Sequence, residues 1–396
     1  MRLVEEILAS QAEIAQVRRD IHAHPELRYE EHRTSDIVAA KLTEWGIPVI
    51  RGMGGTGVVG TIKNGTSNKA IGLRADMDAL PIQEANTFEH ASKNAGKMHA
   101  CGHDGHTAML LAAAKHMSKH RNFDGTVHLI FQPAEEGGAG AKKMIEDGLF
   151  EKCPVDAVFG MHNFPGIPAG SFAVCDGPIM ASSSEFDIVI SGVGSHAALP
   201  HESVDPVMIA CNMAQALQTI ITRNKKPVDT AVISITQIHA GEAYNVVPDQ
   251  AILRGTVRTF TVSVLDLIEK RFREIVEQLP KAFGATATLR FFRNYPPTVN
   301  HTKETEFARS VMRDIVGDKQ TLEFEPTMGG EDFAFMLLAK PGCYSIIGNG
   351  GGDHRTHGHG LGPCSLHNPS YDFNDEVIPL GASYWIRLTE KFLAPA

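Results

Sequence analysis

"GTVHLIFQPAEE" (residues 125–136) and the "GAKKMIEDGLF" that follows it (140–150) decide the fold. A continuous apolar run of strand length ends in a proline and two carboxylates, and a short helical pattern succeeds it. A strand apolar on both faces is covered on both faces, as in a parallel sheet under helices. The alternation continues to either side. "EEHRTSDIVAAKLTEWGI" (30–47) is helical in period and stops at Gly46 and Pro48. "TGVVGTIK" (56–63) and "KAIGLRADMDAL" (69–80) read as strands, "HTAMLLAAAKHMSKH" (106–120) as a helix, and "VDAVFGMHN" (155–163) as another buried strand. The expected architecture is α/β, a mostly parallel sheet covered by helices.

The character changes near residue 185. "SEFDIVISG" (184–192) alternates like a half-buried strand. A long helix (205–223), two strands (230–241 and 250–260), a second helix (262–284) and a last strand (286–292) follow. This β-α-β-β-α-β order predicts a small α+β domain inserted into the larger one. "NYPPTVN" (294–300) leads out of it, and the helices "ETEFARSVMRDIVG" (304–317) and "LGASYWIRLTEKFL" (380–393) return to the first style. The expected boundaries are 1–184 and 298–396 for the two parts of the catalytic domain and 185–297 for the insertion.

The chain's 396 residues exceed what one core usually supports. Its net charge of −9 argues against nucleic acid and anionic membranes as partners. Six scattered cysteines without a C-x-x-C pair fit a reducing, cytoplasmic setting. The N-terminus lacks a signal-peptide pattern, and its Leu3, Ile7, Ile14, Val17 and Ile21 fit one helical face. "GMGGTG" (52–57) matches a dinucleotide fingerprint only on paper, because a strand follows it rather than a helix.

In α/β sheets ligands collect beyond the carboxyl ends of strands. Clusters of metal-loving or charged residues fall at such ends: "RADMDALP" (74–81), "MHACGHDGH" (98–106), "QPAEEGG" (132–138) and "GMHN" (160–163), with "LHNPSYDFND" (366–375) near the C-terminus. Each alone has a plain explanation, such as a buried cysteine beside a capping histidine or glutamates at a helix start. Their convergence favours a metal. Cys101 and His103, two apart, would point the same way in an extended chain and suit Zn²⁺ or a neighbouring first-row ion. Of Glu135 and Glu136, one carboxylate could bind the ion while the other faces water as general base. His162 and His367 bring the donor count to five, enough for two ions sharing Cys101. Asp76 and Asp78 are ligands or carboxylates that orient ligand histidines. A thiol-nucleophile reading with His99 or His103 as base leaves Glu135, Glu136, His162 and His367 without a task. In the insertion, His196, Asn245 and Arg258 read equally as substrate contacts or as turn and salt-bridge residues.

"RRDIHAHPEL" (18–27), "HACGHDGH" (99–106), "FQPAEEGG" (131–138), "GSHAALPH" (194–201), "NVVPD" (245–249), "GGEDFAF" (329–335) and "HNPSYDFND" (367–375), in this order, resemble the M20 metallopeptidase family. The likeness is to its amidohydrolase branch of hippurate hydrolases, N-acyl-amino-acid amidohydrolases and indole-acetyl-amino-acid hydrolases. The resemblance implies a catalytic domain with a ferredoxin-like lid that also dimerises, as a homodimer or dimer of dimers. It implies two divalent ions, Zn or Mn first and Co or Ni next, held by Cys101 as bridge with His103, Glu136, His162 and His367. Glu135 would be the general base, His196 would steady the oxyanion, Asn245 and Arg258 would hold substrate, and Asp78 would support catalysis. The implied reaction cleaves the amide of an N-acyl or N-aroyl amino acid; an N-acetyl-diaminopimelate-type deacetylase or an inactive metal-binding relative is the alternative. Gly194–Ser195 departs from the Gly-Gly frequent before the lid histidine. His354, His357 and His359, in a Gly/His-rich loop, are further candidate ligands near His367.

Overall fold

Apolar strands capped by charge do assemble into a helix-covered sheet. The computed structural model describes residues 1–395, and the chain divides into two compact units. The first comprises Met1–Ile179, Val299–Glu325 and Asp332–Ala396, the second Met180–Thr298 and Pro326–Glu331.

The first unit holds an eight-stranded sheet ordered Val49–Met53, Gly57–Asn64, Gly125–Gln132, Ala70–Asp76, Ala157–Pro165, Gly342–Gly350, Phe172–Val174 and Thr321–Glu323. The four central strands are parallel and almost wholly buried, as in a sheet covered on both faces. Antiparallel pairs enter only toward the edges. Gly342–Gly350, with its Cys, Ser, Asn and glycines, carries no strand pattern in the sequence, yet it lies beside Ala157–Pro165 and is buried almost throughout. "GMGGTG" forms the turn of an antiparallel hairpin, with Gly52, Gly54 and Gly55 at positive φ.

Helix His103–Lys119 is buried nearly all round. Its alanines let it pack between the sheet and helix Ile378–Phe392, where Met109 lies against Gly381. The N-terminal segment is two helices, Glu5–Ala9 and Gln11–Ala23, broken at Ser10. The buried face of the second carries Arg18 and His22 besides Ile14 and Ile21. Hydropathy alone would have turned both polar residues outward.

In the second unit, Ser183–Ser191 buries Phe186, Ile188 and Ile190 on one face. The sheet order is Ala231–Ala240, Gln250–Thr259, Ser183–Ser191, Thr286–Tyr295, antiparallel throughout. Helices Pro206–Thr219 and Val262–Gln278 pack on the same apolar core. Asp205 and Thr261 cap them by accepting backbone N–H groups of the first turn, each worth about 1 kcal/mol.

Candidate metal centre

Beyond the carboxyl ends of the central strands, Cys101, His103, His162, Glu135, Glu136 and His367 converge. Cys101, His103 and His162 place one ligand atom each within 4.8 Å of one another, and so do Cys101, Glu136 and His367. Cys101 therefore belongs to two donor sets at once. Its Sγ lies 3.3 Å from His162 Nε2. His103, Glu135 and Glu136 form a third overlapping set.

The backbone reaches this arrangement by unusual means. Cys101 and His103 do not share a face of an extended chain, as their spacing suggested. Gly102 between them is left-handed, with φ of 85°, and His103 opens the long helix. A Cβ on Gly102 would collide with Asn163 Nδ2 and Tyr371 Oη. The Tyr371 hydroxyl donates to Asn163 Oδ1 at 2.8 Å, and Asn163 Nδ2 donates to the Cys101 carbonyl at 2.7 Å. Glu135 and Glu136 do not start a regular helix either. Ala134 and Ala139 are left-handed, and Glu136 and Gly137 have non-helical torsions. Tyr29, Ala134, Ala139 and His367 are the non-glycine residues at positive φ among the described residues. Ala134 adjoins Glu135, and Tyr29 donates from its hydroxyl to Gly138 O at 2.6 Å. Strain collected in this way is a mark of functional sites.

Buried carboxylates hold the donors in place. Asp78 Oδ1 accepts from His103 Nδ1 at 3.1 Å and Oδ2 from the Glu136 N–H at 2.8 Å. One side chain thus orients two donors. Asp76 binds His106 Nδ1 at 2.6 Å, and His106 Nε2 accepts the Asn163 N–H at 2.9 Å. His106 is thereby fully occupied and holds Asn163. Asp332 takes Arg74, Gln132 and the Ala141 N–H on its carboxylate, while its own N–H reaches Glu135 Oε1 at 3.4 Å. Glu31 accepts the Ala134 N–H and the Thr56 hydroxyl.

The donor atoms fit a cation. His103 Nε2 is buried with no hydrogen-bond partner among the described residues; with Nδ1–H committed to Asp78, Nε2 presents a lone pair. His367 Nε2 lies 3.1 Å from Glu136 Oε1 without hydrogen-bond alignment. The charges point the same way. Burial, then Glu136 and Glu135, push the Cys101 thiol well above its ordinary range. A nucleophile and a metal ligand both need the thiolate, so either use of Cys101 calls for positive charge beside it. Burial would lower the His103 pKa, but Asp76 and Asp78 lift it to about 10; the carboxylates that draw a second proton onto the ring would draw a cation to Nε2 in its place. Asp76, despite burial, is held well below the usual carboxylate range by Arg74, His103 and His106. Burial drives His162 well toward its neutral form. So many acidic groups packed together out of water need positive charge among them.

The sequence pattern of Peptidase family M20/M25/M40 matches residues 72–391. The chain belongs to this family. It is 41% identical to a hippurate hydrolase of Campylobacter jejuni over 99% of this chain and 100% of that one. It is 39% identical to an IAA-amino acid hydrolase of Arabidopsis thaliana, covering 95% and 85% of the two chains. Its structure matches that of a dinuclear metal-binding peptidase of family M20 from Bacillus subtilis with TM-score 0.84 at 35% identity, covering 98% and 99%. This M20 chain is accordingly a metal-dependent hydrolase of amide bonds.

Of the remaining expected residues of the M20 chain, His196, Asn245 and Arg258 lie in the second unit. His196 is exposed on a short strand, Ser195–His196, paired with Val246–Val247. The Ala197 N–H donates to Asn245 O at 2.9 Å, so His196 and Asn245 are neighbours. Arg258, on Gln250–Thr259, is half-buried. In the Gly/His loop, His354 Nε2 faces Asp372 O at 3.2 Å and His359 Nε2 faces Asp372 Oδ2 at 3.1 Å, so these two nitrogens are turned to Asp372.

Those contacts belong to a buried network invisible to hydropathy. Arg18 reaches Asp104 and Asp372 at 3.3 Å and Asp375 at 2.7 Å. His22 joins Asp104 at 2.9 Å to Glu84 at 3.2 Å. Burial opposes protonation of His22, but Asp104 and Glu84 raise it to about 9. Arg18 thus ties "RRDIHAH", "GHDGH" and "SYDFND" together and seats the helix that begins at His103. The signal for it was the polar Arg18 and His22 at core positions of an otherwise apolar helical face.

Proposed function

We propose that the chain hydrolyses the amide between an acyl or aroyl group and an amino acid, releasing a carboxylic acid and the free amino acid. The observation that carries this reading is Cys101 shared by two donor triads with Glu135 beside them. Cys101, His103 and His162 would hold one ion, and Cys101, Glu136 and His367 the other, with Zn²⁺ or Mn²⁺ first and Co²⁺ or Ni²⁺ next. When bound, such ions polarise an amide carbonyl and bring the pKa of a water down to about 7.

The chain's own groups do the rest. Asp78 keeps the His103 lone pair and the Glu136 turn in register. Glu135, buried at the strand end, takes the proton of the attacking water on its carboxylate and passes it to the leaving nitrogen. His196 Nδ1 accepts the Ala198 N–H at 3.1 Å, which puts the imidazole proton on Nε2. From there it donates to the oxyanion, an effect worth about 3–4 kcal/mol for one good donor. Asn245 and Arg258 hold the substrate's carboxylate or carbonyl. The inserted unit would also pair two chains into a homodimer. Supporting this, Ala231–Ala240 is an edge strand with Ile238 exposed, and Val246 nearby in sequence is exposed too. Six unpaired cysteines support a cytoplasmic setting. Among the described residues no helix is long and apolar enough to cross a membrane.

The test is amine release from benzoylglycine, an indole-acetyl amino acid and N-acetylated amino acids, before and after chelation. The expected result is turnover of the aromatic acyl substrates that chelation abolishes and added Mn²⁺ or Zn²⁺ restores. Turnover confined to acetylated amines would replace the aroyl reading with deacetylation, and turnover insensitive to chelation would refute the metal mechanism.

A further inference from the structure

Far from Cys101, a second group of ligating side chains gathers where two helices meet. His116 lies in the last turn of helix His103–Lys119 and His120 immediately follows it. Four residues apart, they share one helical face, with ring centroids 4.6 Å apart. Glu6, on helix Glu5–Ala9, approaches both. Its Oε2 lies 2.7 Å from His116 Nδ1 and 3.0 Å from His120 Nε2. The three ligand atoms fall within 4.8 Å of one another. Lys119 Nζ keeps to the other carboxylate oxygen, 3.6 Å from Oε1.

Two imidazoles at this spacing on a helix are a chelating pair. With one carboxylate they form a three-ligand set that leaves a coordination position open to water. Burial favours the neutral, metal-binding form of His116 over its protonated form, against the pull of Glu6. His120 is half exposed and gives an ion access from solvent.

We propose that Glu6, His116 and His120 bind one first-row divalent cation, Cu²⁺ or Zn²⁺ in preference to Mn²⁺. The site is independent of the amide-hydrolysing centre. Thirteen residues of helix, about 20 Å, separate His116 from His103. Ile7, on the same short helix as Glu6, is already buried in the core. An ion here fastens the N-terminal helix to the far end of the helix that His103 begins, so its effect falls on stability and not on turnover.

The experiment uses the full chain with its resident ions, dialysed against micromolar Zn²⁺, with metal counted by mass spectrometry and Tm recorded. The wild type is expected to hold one ion more per chain than His120→Ala or Glu6→Gln. Zn²⁺ should raise its Tm by about 2–5 °C and leave both variants unmoved, with turnover equal in all three. Equal ion counts, or an equal Tm response in wild type and His120→Ala, would overturn the proposal and leave an ordinary ion pair.

Discussion

Glu135→Gln is expected to keep its ions and lose about a thousandfold in turnover, the usual share of a general base being about 10²–10⁴. The change keeps the side chain's shape and leaves an oxygen to accept the Asp332 N–H, so the turn from Ala134 to Ala139 should survive. What disappears is a site that can take a proton. The five proposed donors Cys101, His103, Glu136, His162 and His367 are untouched. Metal content measured beside kcat on benzoylglycine separates the cases. Turnover within tenfold of wild type would remove Glu135 as the base. Loss of an ion would make it a ligand, a role its closeness to His103 and Glu136 keeps open to test.

Gly102→Ala is expected to be nearly as damaging for a different reason. A residue with a Cβ pays about 1–2 kcal/mol in the left-handed region. Here the added carbon also meets Asn163 and Tyr371, and such overpacking costs about 1–3 kcal/mol more. The displaced groups fix the Cys101 carbonyl, and the chain on either side carries Cys101 and His103. Both stability and ion binding should therefore fall. Gly96→Ala is the control: Gly96 also has positive φ, but nothing lies within 4 Å of its missing Cβ. It should lose only the backbone share, about 1–2 kcal/mol, and keep its ions and turnover. Equal losses in the two variants would show that the packing around Gly102 is not what shapes the site.

The uneven legibility of this chain has physical causes. Strands covered on both faces must be apolar, so Gly125–Gln132 and Ala157–Pro165 announce themselves, and alternation announces Ser183–Ser191. Gly342–Gly350 does not, because close neighbours on both sides favour glycine and small polar residues over branched ones. A Cβ on Gly342, for example, would run into Val158. The convergence of Cys101, His103, Glu136, His162 and His367 was readable because Cys, His and Glu at strand ends have few other uses in combination. How they come together was not. The left-handed turns at Gly102, Ala134 and His367 are conformations, not residue types. The supports Arg18, His22, Arg74, Asp104 and Asp332 are charged or titratable side chains that hydropathy sends to the surface, and only their partners in space explain their burial.

At the centre of the proposed mechanism one thiolate serves two cations. Anomalous diffraction from crystals of the Mn²⁺- or Zn²⁺-loaded protein tests it directly. Two peaks are expected at this cluster, both bonded to Cys101 Sγ, one also to His103 and His162 and the other to Glu136 and His367. A single peak there, or two peaks without Cys101 between them, would contradict it.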